Sequence, residues 1–329
     1  MNAPSLLYAL RWLTRDTFRQ AVAGKVFWLM LGVSALAIVF CLGVHAEGGT
    51  IRDEGEIYLP DGRPAAPSAT PPGSLSLFFG AMTVEIARDR TSAVEMIHLA
   101  LASWVAGAAG LLLTLLWTAS FVPDFLQPTS ATVMLAKPLP RWVFLAGKYL
   151  GVVLFVGFHA VVFFVGTWLA LGLKTGIWVN TYLAGIPLLT LQFAVFYGFS
   201  VLVAVSWRSS VACALSVILL WAVSFGINYG RFTAYAMPAL GSEARQLSPM
   251  TRTLIDLAYW MMPKPADMVI TLQDLLHAEK HSATLRSAPV VKEAIARGAY
   301  DPLLSMLSSL GFGVVMLALA GAQLGKLEY

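Results

Sequence analysis

Six blocks of the chain are almost wholly apolar for about 20 residues, the length a helix needs to cross the hydrocarbon of a bilayer. They cover residues 26–44, 99–122, 149–173, 182–205, 211–229 and 303–324. No ten-residue segments of alternating polarity accompany them, and backbone amides in lipid must be bonded within their own segment. Each block is therefore expected to be an α-helix and not a barrel strand. The predicted fold class is all-α, a single transmembrane domain over 1–329 with six spanning helices, an N-terminal interfacial helix and two large outer loops.

Residues 5–25 carry the interfacial pattern. Leu6, Leu10, Leu13, Phe18 and Ala21 recur near helical spacing, while Arg11, Arg15 and Arg19 form a cationic row at i, i+4 and i+8. Such a helix lies at the headgroup boundary with its arginines toward anionic lipid. The plainer alternative is a basic flank of the first span. Val44-His45-Ala46 resembles a leader cleavage site, yet the apolar block before it is too long, as is the basic lead of about 25 residues, so a retained anchor is expected.

The first outer loop, 45–98, contains Pro60, Pro64, Pro67, Pro71 and Pro72, a composition that favours extended chain. Short β-prone runs at 56–59 and 74–86 allow a small hairpin. In the second outer loop, 230–301, residues 254–262 and 268–276 are apolar at helical intervals but too short to cross. Pro263 and Pro265 separate them, which predicts surface or re-entrant helices. A further short helix is expected over 289–297, ended by Gly298, and Asp301-Pro302 supplies a cap and first-turn proline for the last span.

Composition agrees with lipid as the solvent: 58% of residues are hydrophobic and 12% charged, against roughly 25% charged in soluble domains. The net charge of +4 does not form a nucleic-acid patch, because the basic residues sit beside the apolar blocks as topology signals. Arg11, Arg15, Arg19 and Lys25 precede the first span. Lys137, Arg141, Lys148, Arg208 and Lys326 fall on the same side, leaving Lys174 as the one basic residue in a short loop opposite. Both termini are then cytoplasmic in a multi-pass protein of the cell's inner membrane. Cys41 and Cys213 lie in separate spans and suggest neither a disulfide framework nor a metal site.

Little else in the chain points to chemistry. The stretch Gly321 to Lys326 is one residue short of a phosphate-binding loop and lacks its Ser or Thr. Neither H-E-x-x-H nor a Ser-His-Asp arrangement is present. Catalytic, cofactor and metal sites are all expected to be absent. Met237, Met250, Met261, Met262 and Met268 are irregularly spaced and read as apolar packing, not as soft Cu(I) ligands. His159 and Gln192 are polar residues inside spans, each either an intramembrane site or a hydrogen-bonded packing residue. Pro187 is expected to kink the fourth span.

The most informative stretch joins the second and third spans, within a coupling region at 123–148. It reads Phe121-Val122-Pro123-Asp124-Phe125-Leu126-Gln127-Pro128-Thr129-Ser130-Ala131-Thr132-Val133-Met134-Leu135-Ala136-Lys137-Pro138-Leu139-Pro140-Arg141, followed by Gly147-Lys148-Tyr149-Leu150-Gly151. Thr129 can cap a short helix whose apolar face is Ala131, Met134 and Leu135, and Pro138 with Pro140 ends it.

This arrangement resembles the coupling loop of ABC-2 type transporter permeases, in which Lys-Pro, Arg and then Gly-Lys lead into the third span. Lys137-Pro138, Arg141 and Gly147-Lys148 match that pattern. Where the family often has an acidic residue and Gly-Thr, this chain has Gln127-Pro128-Thr129-Ser130. The large first and last outer loops resemble those of the copper-enzyme maturation branch, although nothing here points to copper. The resemblance implies an ABC exporter permease working as a dimer with a second copy or paralogue, in contact with membrane lipid. A separate ABC ATP-binding subunit would bind ATP and Mg and push on the coupling helix. A non-transporting scaffold or mechanical relay, an intramembrane enzyme and a secondary transporter are the alternatives.

Overall fold

A computed structural model describes residues 3–47, 50–51, 57–58, 73–86, 90–126, 140–236, 248–277 and 288–326. The chain opens with α1 (Ala3–Ala23), turns at Gly24 and enters α2 (Lys25–Leu42). Five short strands follow: β1 (His45–Glu47), β2 (Thr50–Ile51), β3 (Ile57–Tyr58), β4 (Gly73–Leu77) and β5 (Met82–Ile86). Next come α3 (Arg90–Phe125), α4 (Arg141–Thr175), a 3-10 turn at Asn180–Ala184 and α5 (Gly185–Trp207). The remaining helices are α6 (Ser210–Ala236), α7 (Pro249–Met261), α8 (Pro265–Leu275), α9 (Pro289–Ala296) and α10 (Pro302–Lys326).

Six helices are long and apolar enough to cross a membrane, and they coincide with the six predicted blocks: α2, α3, α4, α5 with its 3-10 lead, α6 and α10. The chain is therefore a helical, multi-pass membrane protein. Helices α3 and α4 have 36 and 35 residues. At about 1.5 Å per residue they exceed a hydrocarbon core of about 30 Å, so both project beyond it. Within α3, residues Leu101–Gly110 are wound as a π-helix, an arrangement that widens the turn and re-aims its side chains.

Helix α5 forms the centre of the bundle, with Phe193, Phe196, Tyr197 and Val201 buried among α3, α4, α6 and α10. It meets α10 through Gly198, where an added Cβ would stand 3.1 Å from the Gly313 carbonyl oxygen. Small residues at such crossings let two backbones approach in lipid. Pro187 occupies the first turn of α5, directly after the 3-10 segment, where a missing N–H is tolerated.

The loop after α2 forms a three-stranded antiparallel sheet in the order β1-β4-β5 and a separate β2-β3 pair. The β-prone run at 74–86 is the β4-β5 hairpin, with Leu77 opposite Met82. At the same end of the bundle, α7 and α8 form the expected pair of short helices. Ser248 caps α7 by accepting from the Thr251 amide at 3.1 Å, and the Leu304 amide donates to Asp301 at 3.0 Å at the start of α10.

The α7-α8 hairpin is inserted between the spans and not laid across their ends. Its turn reaches the second turn of α10, where the Lys264 amide donates to Ser309 and its Nζ donates to Ser308 at 2.7 Å. The Ala266 amide likewise donates to Asn228, two turns before the end of α6. Residues Pro265 to Gln273 of α8 are almost all buried, whereas Met250, Leu254, Leu257 and Met261 of α7 are exposed. One helix of the hairpin plugs the bundle and the other presents an apolar face outward.

Candidate functional site at the N-terminal end of the bundle

The N-terminal segment is helical over Ala3–Ala23, with Arg11, Arg15 and Arg19 exposed. Its opposite side is docked on protein, against the first turns of α4. Leu13 is fully buried among Val143 and Phe144. The seam is made by two glycines one helical turn apart. A Cβ on Gly147 would stand 2.6 Å from the Leu13 Cβ, and one on Gly151 would stand 2.5 Å from the Thr17 Cβ. Any larger residue at either position would push α1 off α4, so Gly147-x-x-x-Gly151 is a small-residue seam of the kind that joins membrane helices.

Lys148 lies between those glycines and is 6% exposed. Its Nζ donates to Gln20 Oε1 at 2.8 Å, and Gln20 Nε2 in turn donates to Asp16 at 2.8 Å. The ammonium also stands over the Phe125 ring at 5.4 Å, an attractive placement for a cation. Three elements that are distant in sequence are thus tied at one side chain: α1 through Gln20, the end of α3 through Phe125, and α4 itself.

Arg141 opens α4 from the other side of the coupling region. Its guanidinium donates to the Leu324 carbonyl at 3.2 Å and approaches that of Gly325 at 3.5 Å. These carbonyls lie in the last described turn of α10, where a cation complements the helix dipole. Thr129, Ala131, Met134, Leu135, Lys137 and Pro138 lie outside the described residues. Of the predicted coupling residues, the structure describes Arg141 alone, and it places that residue with Lys148 on the first turns of one helix.

Between α1, the end of α3 and α4 is a cavity of about 290 Å³ lined by Gln20, Asp124, Phe125, Lys148, Val152 and Tyr197, among others. His159 and Gln192 do not join it. His159 is buried in α4 among Phe27, Phe155 and Phe158, with ring centroids 5.2, 4.8 and 5.5 Å away. Neither of its ring nitrogens has a partner among the described residues, nor does Gln192 Nε2. The hydrogen bonds expected of them as packing residues are therefore missing from the described part of the bundle.

A second polar cluster, not anticipated from the sequence, sits beneath the α7-α8 hairpin. Arg231, buried in α6, donates to Asp256 of α7 at 2.7 Å and stacks over Tyr259 at 4.0 Å. Asp267 is fully buried and accepts from the Tyr259 hydroxyl and from Ser305. Burial raises the Asp267 carboxyl above the ordinary carboxylate range and pulls the Lys264 ammonium down to about 8. Lys264 and Asp267 fall between the two predicted short helices and Arg231 at the start of the second outer loop, where charges are ordinarily solvated. The signal that could have placed them is the proline pair, Pro263 and Pro265, bracketing Lys264 at the tip of two apolar helices.

No family model and no curated protein matches the chain.

Proposed function

We propose that this chain is the membrane-spanning permease subunit of an ATP-driven ABC exporter, coupled to a separate ATPase and paired with a second permease copy or paralogue. The observation that supports it most is mechanical continuity at the N-terminal end. The connection from α3 to α4 enters the bundle where Phe125, Lys148, Gln20 and Arg141 tie together α1, α3, α4 and α10. A push delivered to residues 127–140 reaches four helices at once.

In this reading the N-terminal end is cytoplasmic, which agrees with the basic residues concentrated there, and the strands and the α7-α8 hairpin face outward. Helix α4, about 50 Å long at 1.5 Å per residue, carries a displacement at Arg141 across the membrane. Packed helices move as bodies and shift by small sliding steps, so closure of an ATPase beneath the coupling region is transmitted without a flexible relay. ATP and Mg belong to the partner, since this chain has no phosphate-binding loop.

The test is purification of an affinity-tagged chain from its native membrane in mild detergent. The reading expects a second polypeptide with a phosphate-binding loop at fixed stoichiometry, and ATP hydrolysis that disappears when that polypeptide is stripped away. ATP turnover by the isolated chain, or copurification with no nucleotide-binding subunit, is the contrary result.

A further inference from the structure

We propose that the cavity between α1, α3 and α4 binds a phosphate-ammonium zwitterion, the headgroup chemistry of an aminophospholipid, with the phosphate on Lys148 and the ammonium at Asp124. The proposal stands on the cavity itself and is independent of the exporter reading.

An ammonium taken out of water costs several kcal/mol unless an opposite charge or full hydrogen bonding compensates it. Lys148 is only 6% exposed, and among the described residues its hydrogen-bond partner is a neutral amide, Gln20. The nearest carboxylate in that relay, Asp16, is one further link away on Gln20. An ammonium has three donors, and Gln20 takes one. The aromatic face of Phe125 offsets part of the remainder. An anionic oxygen in the cavity would complete the set.

Tyr197 forms a buried wall of the same cavity. A phosphate, with several acceptor oxygens, can take the donors of the Lys148 ammonium that Gln20 leaves and oppose its charge directly, whereas a neutral ligand would leave that charge to Asp16 alone, one link away.

Asp124 settles the other half of the ligand. It lines the cavity and is exposed, so a purely anionic ligand would meet like charge there. A ligand with its anion inward and its cation outward satisfies both ends. That is the order of charges in an aminophospholipid, whose ammonium lies nearer the water than its phosphate. Ala21, Val26, Val122 and Val152 supply an apolar side to the cavity, and basic pockets between spans are established places for lipid headgroups. The volume, about 290 Å³, suits a headgroup and not a whole lipid, whose chains would stay in the bilayer.

The purely structural alternative is that Lys148 exists only to hold Gln20 and α1. The two are separated by native mass spectrometry of the full chain in detergent, titrated with phosphatidylethanolamine and, separately, phosphatidylglycerol. The proposal expects one phosphatidylethanolamine per chain, preferred over phosphatidylglycerol, with binding weakened at least about tenfold by Lys148→Met. Asp124→Asn, at an exposed position that leaves the fold intact, should abolish the preference while sparing phosphatidylglycerol binding. Millimolar phosphoethanolamine distinguishes the source: failure to displace the lipid supports a membrane-derived headgroup, and full displacement supports the same chemistry in a soluble ligand. Equal binding of both lipids with no effect of Asp124→Asn overturns the proposal, as does wild-type affinity in Lys148→Met.

Discussion

Gly147 is the socket for Leu13: a single methyl group added at position 147 would stand 2.6 Å from the Leu13 Cβ. This contact makes the N-terminal helix part of the bundle and not a loose interfacial segment, and it sits one residue from the buried Lys148. Gly147→Val should accordingly destabilise the protein by about 1–3 kcal/mol, as overpacking in a tight seam does. Thermal melting in detergent would show the loss, and limited proteolysis would show cleavage within residues 3–23. An unchanged melting temperature with a protected N-terminus would mean that α1 docks elsewhere.

Asp256 neutralises Arg231 beneath the α7-α8 hairpin, and the arginine is the more buried partner, with 7% of its side chain exposed against 31%. Asp256→Asn leaves that guanidinium without its counter-charge. The expected cost is about 1–3 kcal/mol, below that of a fully buried pair because water reaches the carboxylate. Replacing both residues, Arg231→Met with Asp256→Leu, should recover most of the loss, and a melting-temperature cycle over the three variants measures it.

Lys264 provides a test by pH. Its folded pKa is lowered by burial from 10.5 to about 8. Between those values the unfolded chain binds more protons than the folded protein, so stability should rise as pH increases from about 8 to about 10. Below pH 8 the cost of the buried ammonium is fully present. Lys264→Met should remove this rise. A variant with the same melting-temperature slope as the parent would show that Lys264 does not titrate in the folded state.

The proposed orientation is tested with a cysteine in place of Ser68, in the loop assigned to the outside. A membrane-impermeant maleimide should label it in intact cells, after Cys41 and Cys213 have been replaced by Ala. Labelling only after cell disruption would invert the topology.

The spans were legible because lipid leaves each one no choice: about 20 apolar residues, every backbone group paired within the helix. The β4-β5 hairpin and the α7-α8 pair were legible from β-prone runs and from Pro263 and Pro265. Other features depend on tertiary contact and left no periodic trace. The extension of α3 back to Arg90 crosses polar residues, and the π-helical winding at Leu101–Gly110 has no compositional mark. Arg231, Lys264 and Asp267 looked like loop charges because their burial comes from a hairpin that folds back between helices. In the sequence the Gly147-Lys148 pair carries only a resemblance. Its physical content, two glycines four residues apart with Leu13 and Thr17 set against them, became visible once α1 and α4 were side by side.

The central claim, that residues 127–140 receive force from an ATPase and pass it to the bundle, is tested most directly by ATP hydrolysis in the reconstituted two-subunit complex. Met134→Asp with Leu135→Asp places two carboxylates on the proposed contact face and costs several kcal/mol if they are buried without partners. The account predicts normal membrane insertion of the double variant, loss of copurification and at least tenfold loss of permease-stimulated ATP turnover. Stimulation at the parent level, with the partner still bound, would contradict it.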